Sequence, residues 1–256
     1  MKPANLKHAA LAVLLPALLF TATAGADTLN VAVAANLKAA FSELAADFQR
    51  VHPGDIVEPN FGSSGKFAAQ IANGAPFEMF FSADTDFPRK LADQGLVAGK
   101  PRVYAIGHLV LWSLDRERGT LPLKQLPAAI KGKLAIANPA TAPYGLRAQE
   151  ALQHEGVLDA LQPKLVLGEN ITQTAQFVDT GAADAGIIAL AQVLGPELRD
   201  KGSWTRIPDD WHQPLEQAYA ILKPGADKRL PKAFADYMAT PPARAILERY
   251  GYDTPQ

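Results

Sequence analysis

Four short stretches of small or polar residues stand directly before apolar helical patterns. They are Ala34-Ala35-Asn36, Gly62-Ser63-Ser64-Gly65, Pro143-Tyr144-Gly145 and Asn170-Ile171-Thr172. A helix start carries backbone N–H groups with no intrahelical partner and the positive end of the macrodipole. Several starts facing one cleft therefore make an anion site without any charged side chain. Asn and Ser add side-chain donors, and none of the four stretches contains an acid. Donors without acceptors suit a fully deprotonated oxyanion. Each junction alone reads equally well as a helix cap; the recurrence of four is the signal.

Other chemistries fit less well. In a phosphate loop, G-x-x-x-x-G-K-[ST], the first glycine would fall on Asn60 and the hydroxyl residue on Phe67. In a nucleophile elbow, G-x-S-x-G, Lys66 occupies the last glycine position. The histidines, at 8, 52, 108, 154 and 212, have no ligand spacing to one another, and Asp209-Asp210-Trp211-His212 reads as a polar loop near a hinge. The chain has no cysteine, which excludes thiol nucleophiles, disulfides and zinc ribbons. Lys66 and Arg147 sit in the first turns of two of these helices and read better as solvated residues than as counter-ions, since a buried charge is costly. No catalytic residue is assigned.

The elements that must position the junctions alternate between short apolar runs and longer helical patterns. Strands are predicted at 29–34, 56–61, 79–82, 109–114, 134–137, 165–167, 185–189 and 219–222. Helices are predicted at 37–50, 67–73, 145–154 and 172–180, with another from near Asp86. On the first helix Leu37, Phe41, Leu44, Ala45 and Phe48 share one face. The alternation predicts an α/β fold of mostly parallel sheets flanked by helices, with ligands at the carboxyl ends of the strands. Glycine and proline between Val97 and Gly107, and a polar stretch from Pro208 to Pro214, mark changes of domain. The expected division is a first domain of 27–107 plus 214–256, with a second of 108–213 inserted into it.

Residues 1–26 read as a secretory signal peptide. Lys2 and Lys7 precede an apolar stretch from Ala9 to Phe20, and Ala24-Gly25-Ala26 makes a small-x-small cleavage site. The stretch is too short to span a bilayer. Loss of the two lysines takes the formal charge from −1 to −3. Such a chain has no whole-molecule field to hold nucleic acid. A hydrophobic fraction of 48% with 20% charged residues suits an exported, globular protein.

The order and spacing of several short segments resemble the periplasmic molybdate-binding proteins of ATP-driven importers. The segments are Val31-Ala32-Val33-Ala34-Ala35-Asn36-Leu37, Phe61-Gly62-Ser63-Ser64-Gly65, and Gly74-Ala75-Pro76 leading into Phe81-Ser82-Ala83-Asp84. Next come Asn138-Pro139 with Pro143-Tyr144-Gly145, then Gly168-Glu169-Asn170-Ile171, Gly186-Ile187-Ile188 and Arg249-Tyr250-Gly251. The resemblance covers nearly the whole mature chain. It implies a two-domain periplasmic-binding-protein fold of type II, closing on molybdate or tungstate in the interdomain cleft. It implies ligand contacts from Ala35, Asn36, Ser64, Tyr144 and the Ile171 N–H, with Ser63 and Ala189 as further candidates. Many members carry a tyrosine where Ala189 stands, so the Tyr144 hydroxyl is expected to donate in its place. The implied partners are the oxyanion and the membrane permease of an ABC importer. The implied protein is a periplasmic monomer without a cofactor, whose only metal is that of the oxyanion. Two alternatives stand beside this reading: a binding protein for another small oxyanion such as sulfate, and a secreted serine hydrolase using Ser64 or His212.

Overall fold

The structure is a computed structural model that describes residues 27–255. The expected signal peptide lies outside the described residues. The first half of the chain runs β1 (Thr28–Ala34), α1 (Lys38–Val51), β2 (Ile56–Gly62), α2 (Ser64–Ala72), β3 (Met79–Phe81), α3 (Asp86–Asp93), β4 (Arg102–Gly107), β5 (Leu109–Ser113) and α4 (Leu126–Ala129). It continues through β6 (Leu134–Ala137), α5 (Pro143–His154), α6 (Leu158–Leu161), β7 (Leu165–Gly168), α7 (Ile171–Asp179), β8 (Ala185–Ala189) and α8 (Leu190–Leu194). It ends with β9 (Ser203–Arg206), β10 (Leu215–Ile221), α9 (Arg229–Tyr237) and α10 (Pro241–Arg249).

The strands form two five-stranded sheets, ordered β2-β1-β3-β10-β4 and β7-β6-β8-β5-β9. Each sheet, with its helices, makes one lobe. The inner strands pair in parallel, β1 with β2 and β3, and β6 with β7 and β8. The sheets are mixed rather than mostly parallel, because β10 runs antiparallel to β3 and β4, and β5 antiparallel to β8 and β9. The reversed strands are those that carry the chain between lobes. β4 passes through His108 straight into β5, and β9 leads back to β10. The expected strand at 219–222 is the end of β10, and β4 falls in a stretch read as a linker.

The sequence accounts for these elements locally. Central strands β5, β6 and β8 are buried along their whole length, and their continuous apolar runs fit burial on both faces. Helix α1 buries Phe41, Leu44, Ala45 and Phe48, the face that its periodicity marks. Phe41 lies 5.1 Å from Phe81 and 5.5 Å from Phe234 between ring centroids, in an aromatic cluster that fixes α1 against the first sheet. With α1 held there, its N-terminus points at the other lobe. At the crossing, buried His108 faces Asp209 at 3.0 Å and Asp253 at 3.1 Å, which ties the two linkers to the C-terminal segment.

Candidate ligand-binding site between the lobes

The helix starts named above meet at one place. Ala35, Asn36, Ser63 and Ser64 from the first lobe, and Tyr144 and Ile171 from the second, line one small cavity between the lobes. Ala189 is fully buried and is not among its lining residues. A larger void of about 80 Å³ adjoins it through Ala35 and Asn36. That void is lined by Lys38 and Glu197, paired with each other, and by Asp179, paired with Lys201, whereas the serines, Tyr144 and the Ile171 helix start line the smaller cavity, which is the better anion site.

Each junction presents donors for a local reason. Residues Ala35–Leu37 form a 3-10 turn that runs into α1, and the first N–H groups of such a turn have no partner within it. At α2, the Ser64 hydroxyl is 1% exposed and accepts from the Ala83 N–H at 3.0 Å. Its own proton has no acceptor among the described residues. Ser63 stands before α2 without capping it, and its buried hydroxyl has no partner among the described residues. At α5, Pro143 takes the first helical position and the Gly145 N–H turns back to Ala142, which leaves the Tyr144 N–H at the open end. Gly145 is required here, because a Cβ would lie 2.0 Å from the Ala137 carbonyl oxygen. At α7, the Asn170 side chain caps Thr172 and Gln173, so the Ile171 N–H remains uncapped.

The electrostatics favour donors throughout. Among the described residues, no acid lines the cavity. Burial pushes the Asp84 carboxyl up, and its Oδ1 accepts from Ser82 Oγ at 2.8 Å and from the Phe87 N–H at 3.1 Å at the start of α3. Burial holds the Tyr144 phenol far above its ordinary range, so it remains a protonated donor. Lys66 does not face the cavity. Its Nζ lies 2.7 Å from Glu169 Oε1 across the mouth of the cleft, with both side chains about half exposed. Arg147 pairs with Glu150 on its own helix at 2.5 Å.

Asn36 behaves differently from the side-chain donor that sequence reasoning expects. Both protons of its amide are spent inside the protein, on Gln217 Oε1 at 2.9 Å and on the Tyr252 hydroxyl at 3.0 Å. Its backbone N–H is what it offers to the cavity. Sequence reasoning also missed the residues behind the wall, Gln217, Tyr104 and Tyr252. Gln217, next to exposed Glu216 in the otherwise apolar strand Leu215–Ile221, was the available signal.

The lobes are closed on each other. The Gly65 N–H donates to the Thr141 carbonyl at 2.8 Å, and Lys38 Nζ lies 2.9 Å from Glu197 Oε1. Neither residue proposed as a hydrolase nucleophile or base is arranged for that work. Ser64 Oγ meets Ala83, and His212 Nδ1 meets the Gln213 carbonyl at 2.8 Å.

Two α/β lobes, joined by two crossings and shut over a small cavity of helix starts, define a solute-binding protein of the two-lobed kind. The sequence profile of the bacterial extracellular solute-binding proteins matches residues 29–253, and the chain belongs to that family, whose members bind solutes and are not enzymes. Among relatives, it is 42% identical over 235 residues to the molybdate-binding protein ModA of Rhodobacter capsulatus, covering 90% of each chain. It is 41% identical over 247 residues to the molybdate-binding protein ModA of Azotobacter vinelandii, covering 94% of this chain and 96% of that one. The solved periplasmic molybdate-binding protein of Azotobacter vinelandii superposes with a TM-score of 0.83 at 38% identity, covering 89% of this chain and all of the other.

Proposed function

We propose that this chain captures molybdate or tungstate in the periplasm and delivers it to the permease of an ATP-driven importer. The observation that carries the proposal is the cavity itself, where four helix starts from both lobes converge with donors and without an acid. The oxyanion would be held by backbone N–H groups of Ala35, Asn36, Ser64, Tyr144 and Ile171 and by the hydroxyls of Ser64 and Tyr144. Ser63 would add a hydroxyl at the same helix start. A carboxylate in this wall would repel a dianion and accept a proton from hydrogen phosphate; its lack selects for fully deprotonated oxyanions. Size would then separate molybdate and tungstate from sulfate, because a closed cage leaves the wrong ion with unmatched contacts. The relatives named molybdate-binding support the same ligand. Residues 1–26 would direct export and be removed by cleavage after Ala26.

Thermal unfolding with each anion in turn tests this reading. Molybdate and tungstate raise the unfolding temperature; sulfate and phosphate at the same concentration leave it unchanged. At a hundred times its dissociation constant a ligand stabilises the folded state by about 2.7 kcal/mol. Equal shifts with sulfate would replace molybdate by small oxyanions in general.

The lobe of residues 27–107 with 214–256 would rotate against that of 108–213 about the crossings near Gly107 and Pro214. Small-angle scattering then gives a smaller radius of gyration with molybdate than without. An unchanged radius at saturating ligand would contradict closure on binding. Tyr144→Phe keeps the ring and removes the hydroxyl. It weakens molybdate binding by about 1.5 kcal/mol, the lower end for a hydrogen bond to a charged group. Unchanged affinity in titration calorimetry would leave the Tyr144 hydroxyl as packing.

A further inference from the structure

We infer that Gln217, which does not line the cavity, is a positioning residue for the ligand: it holds the Tyr144 hydroxyl so that its proton is left for the oxyanion. The inference rests on reading the cavity as the oxyanion site.

The argument follows the direction of each hydrogen bond, beginning at a group that can only accept. The Tyr252 hydroxyl spends its one proton on the backbone carbonyl of Asn36 at 3.0 Å. Its oxygen is then the acceptor for the Asn36 side chain, also at 3.0 Å, so Asn36 turns its Nδ2 toward it. The second Nδ2 proton goes to Gln217 at 2.9 Å, which requires Gln217 to present Oε1 on that side. The Tyr104 hydroxyl donates to the same Oε1 at 2.9 Å. The Gln217 amide is thereby fixed, and its Nε2 faces the Tyr144 oxygen at 3.0 Å. Nε2 can only donate. Tyr144 therefore accepts from Gln217, and its own proton has no acceptor among the described residues.

The surroundings hold this arrangement. Gln217 is fully buried. The register of β10 against β4 shifts between Gln217 and Ala218, and such a bulge re-aims a side chain. Gly107 backs the pair: a Cβ there would lie 2.1 Å from the Tyr144 hydroxyl and 2.5 Å from Gln217 Nε2. Gln217 and Tyr144 belong to different lobes, so the bond between them exists when the cleft is closed. A buried network of this kind is sensitive to the loss of one member.

Gln217→Glu tests the inference through pH. The groups that face this position are the phenols of Tyr104 and Tyr144 and the amide of Asn36, with Tyr252 behind it; Asp84 is the carboxylate whose field reaches Tyr104. Burial keeps the three phenols protonated, so the introduced carboxyl is the group in this network that titrates. When ionised it accepts only; Tyr144 turns its proton to it and away from the ligand. When protonated it donates to Tyr144 as Nε2 does. Molybdate affinity, measured by titration calorimetry, is expected to be at least ~100-fold below wild type at pH 8. It is expected to recover at least ~10-fold relative to wild type as the pH is lowered to 6. A merely structural role gives a loss that does not follow pH, and that result would overturn the inference. The ionised carboxylate also repels the dianion directly, so the same pH series is run in the Tyr144→Phe background: the inference expects most of the pH dependence to vanish there, and a dependence that persists in full comes from charge alone and would overturn it. Gln217→Met supplies a second reading: alone it weakens binding about tenfold, and in the Tyr144→Phe background less than about twofold. Additive losses would overturn the inference as well. Unfolding temperatures of the ligand-free variants establish that each is folded. If wild type itself does not bind molybdate, the oxyanion reading falls, which is a different result from wild-type binding with an insensitive Gln217.

Discussion

Gly65→Val is expected to weaken molybdate binding at least ~100-fold, a loss of about 2.7 kcal/mol or more, while the ligand-free protein unfolds near the wild-type temperature. The reason lies in which lobe the new atoms meet. A Cβ at Gly65 would lie 2.9 Å from the Thr141 carbonyl oxygen and 3.0 Å from Thr141 Cα. Thr141 belongs to the opposite lobe, and the Gly65 N–H donates to that same carbonyl. Backbone on both sides cannot give way. The other near atom, Cζ of Phe87 at 2.9 Å, is the far end of a side chain and can turn aside. Valine therefore costs little with the lobes apart and obstructs their closure. Calorimetric titration with a parallel unfolding scan separates the two effects. Wild-type affinity would mean that the donors act without the lobes meeting here.

Ser64→Ala is expected to cost roughly 1.5–3 kcal/mol of molybdate binding, the range for a hydrogen bond to a charged group. The Ser64 oxygen is already an acceptor for the Ala83 N–H, which directs its proton elsewhere. That N–H is left without its partner in the alanine variant, so the ligand-free protein also loses about 1 kcal/mol. The larger loss in binding than in stability is the signature of a ligand donor. A variant that loses stability but binds normally would make Ser64 a brace for Ala83 alone.

The parts of this site that were legible in the sequence are those decided locally. β6 and β8 appear at the predicted boundaries because their apolar runs are continuous. α1 appears because its buried face repeats with the helical period. The four junctions could be read because a helix start is defined by the few residues around it. β4 and β9 were not legible. Both are edge strands with exposed Arg102, Val103 and Trp204; β9 has no apolar run, and the short run Val103–Ile106 of β4 lies between Pro101 and Gly107, in a stretch read as a change of domain. The inner wall was hidden for another reason. Asn36 looks like a side-chain donor until Gln217 and Tyr252, at 181 and 216 residues' separation, take its protons. Lys66 was read as a solvated residue, and its pairing with Glu169 depends on the meeting of two lobes. Hydrogen-bond direction across such distances belongs to tertiary structure.

The most direct measurement is calorimetric titration of the mature chain with molybdate, followed by the same titration with sulfate. The expected result is a single tight site per chain for molybdate and no measurable heat of binding for sulfate at equal concentration. Sulfate bound as tightly as molybdate, or molybdate not bound at all, would contradict the account.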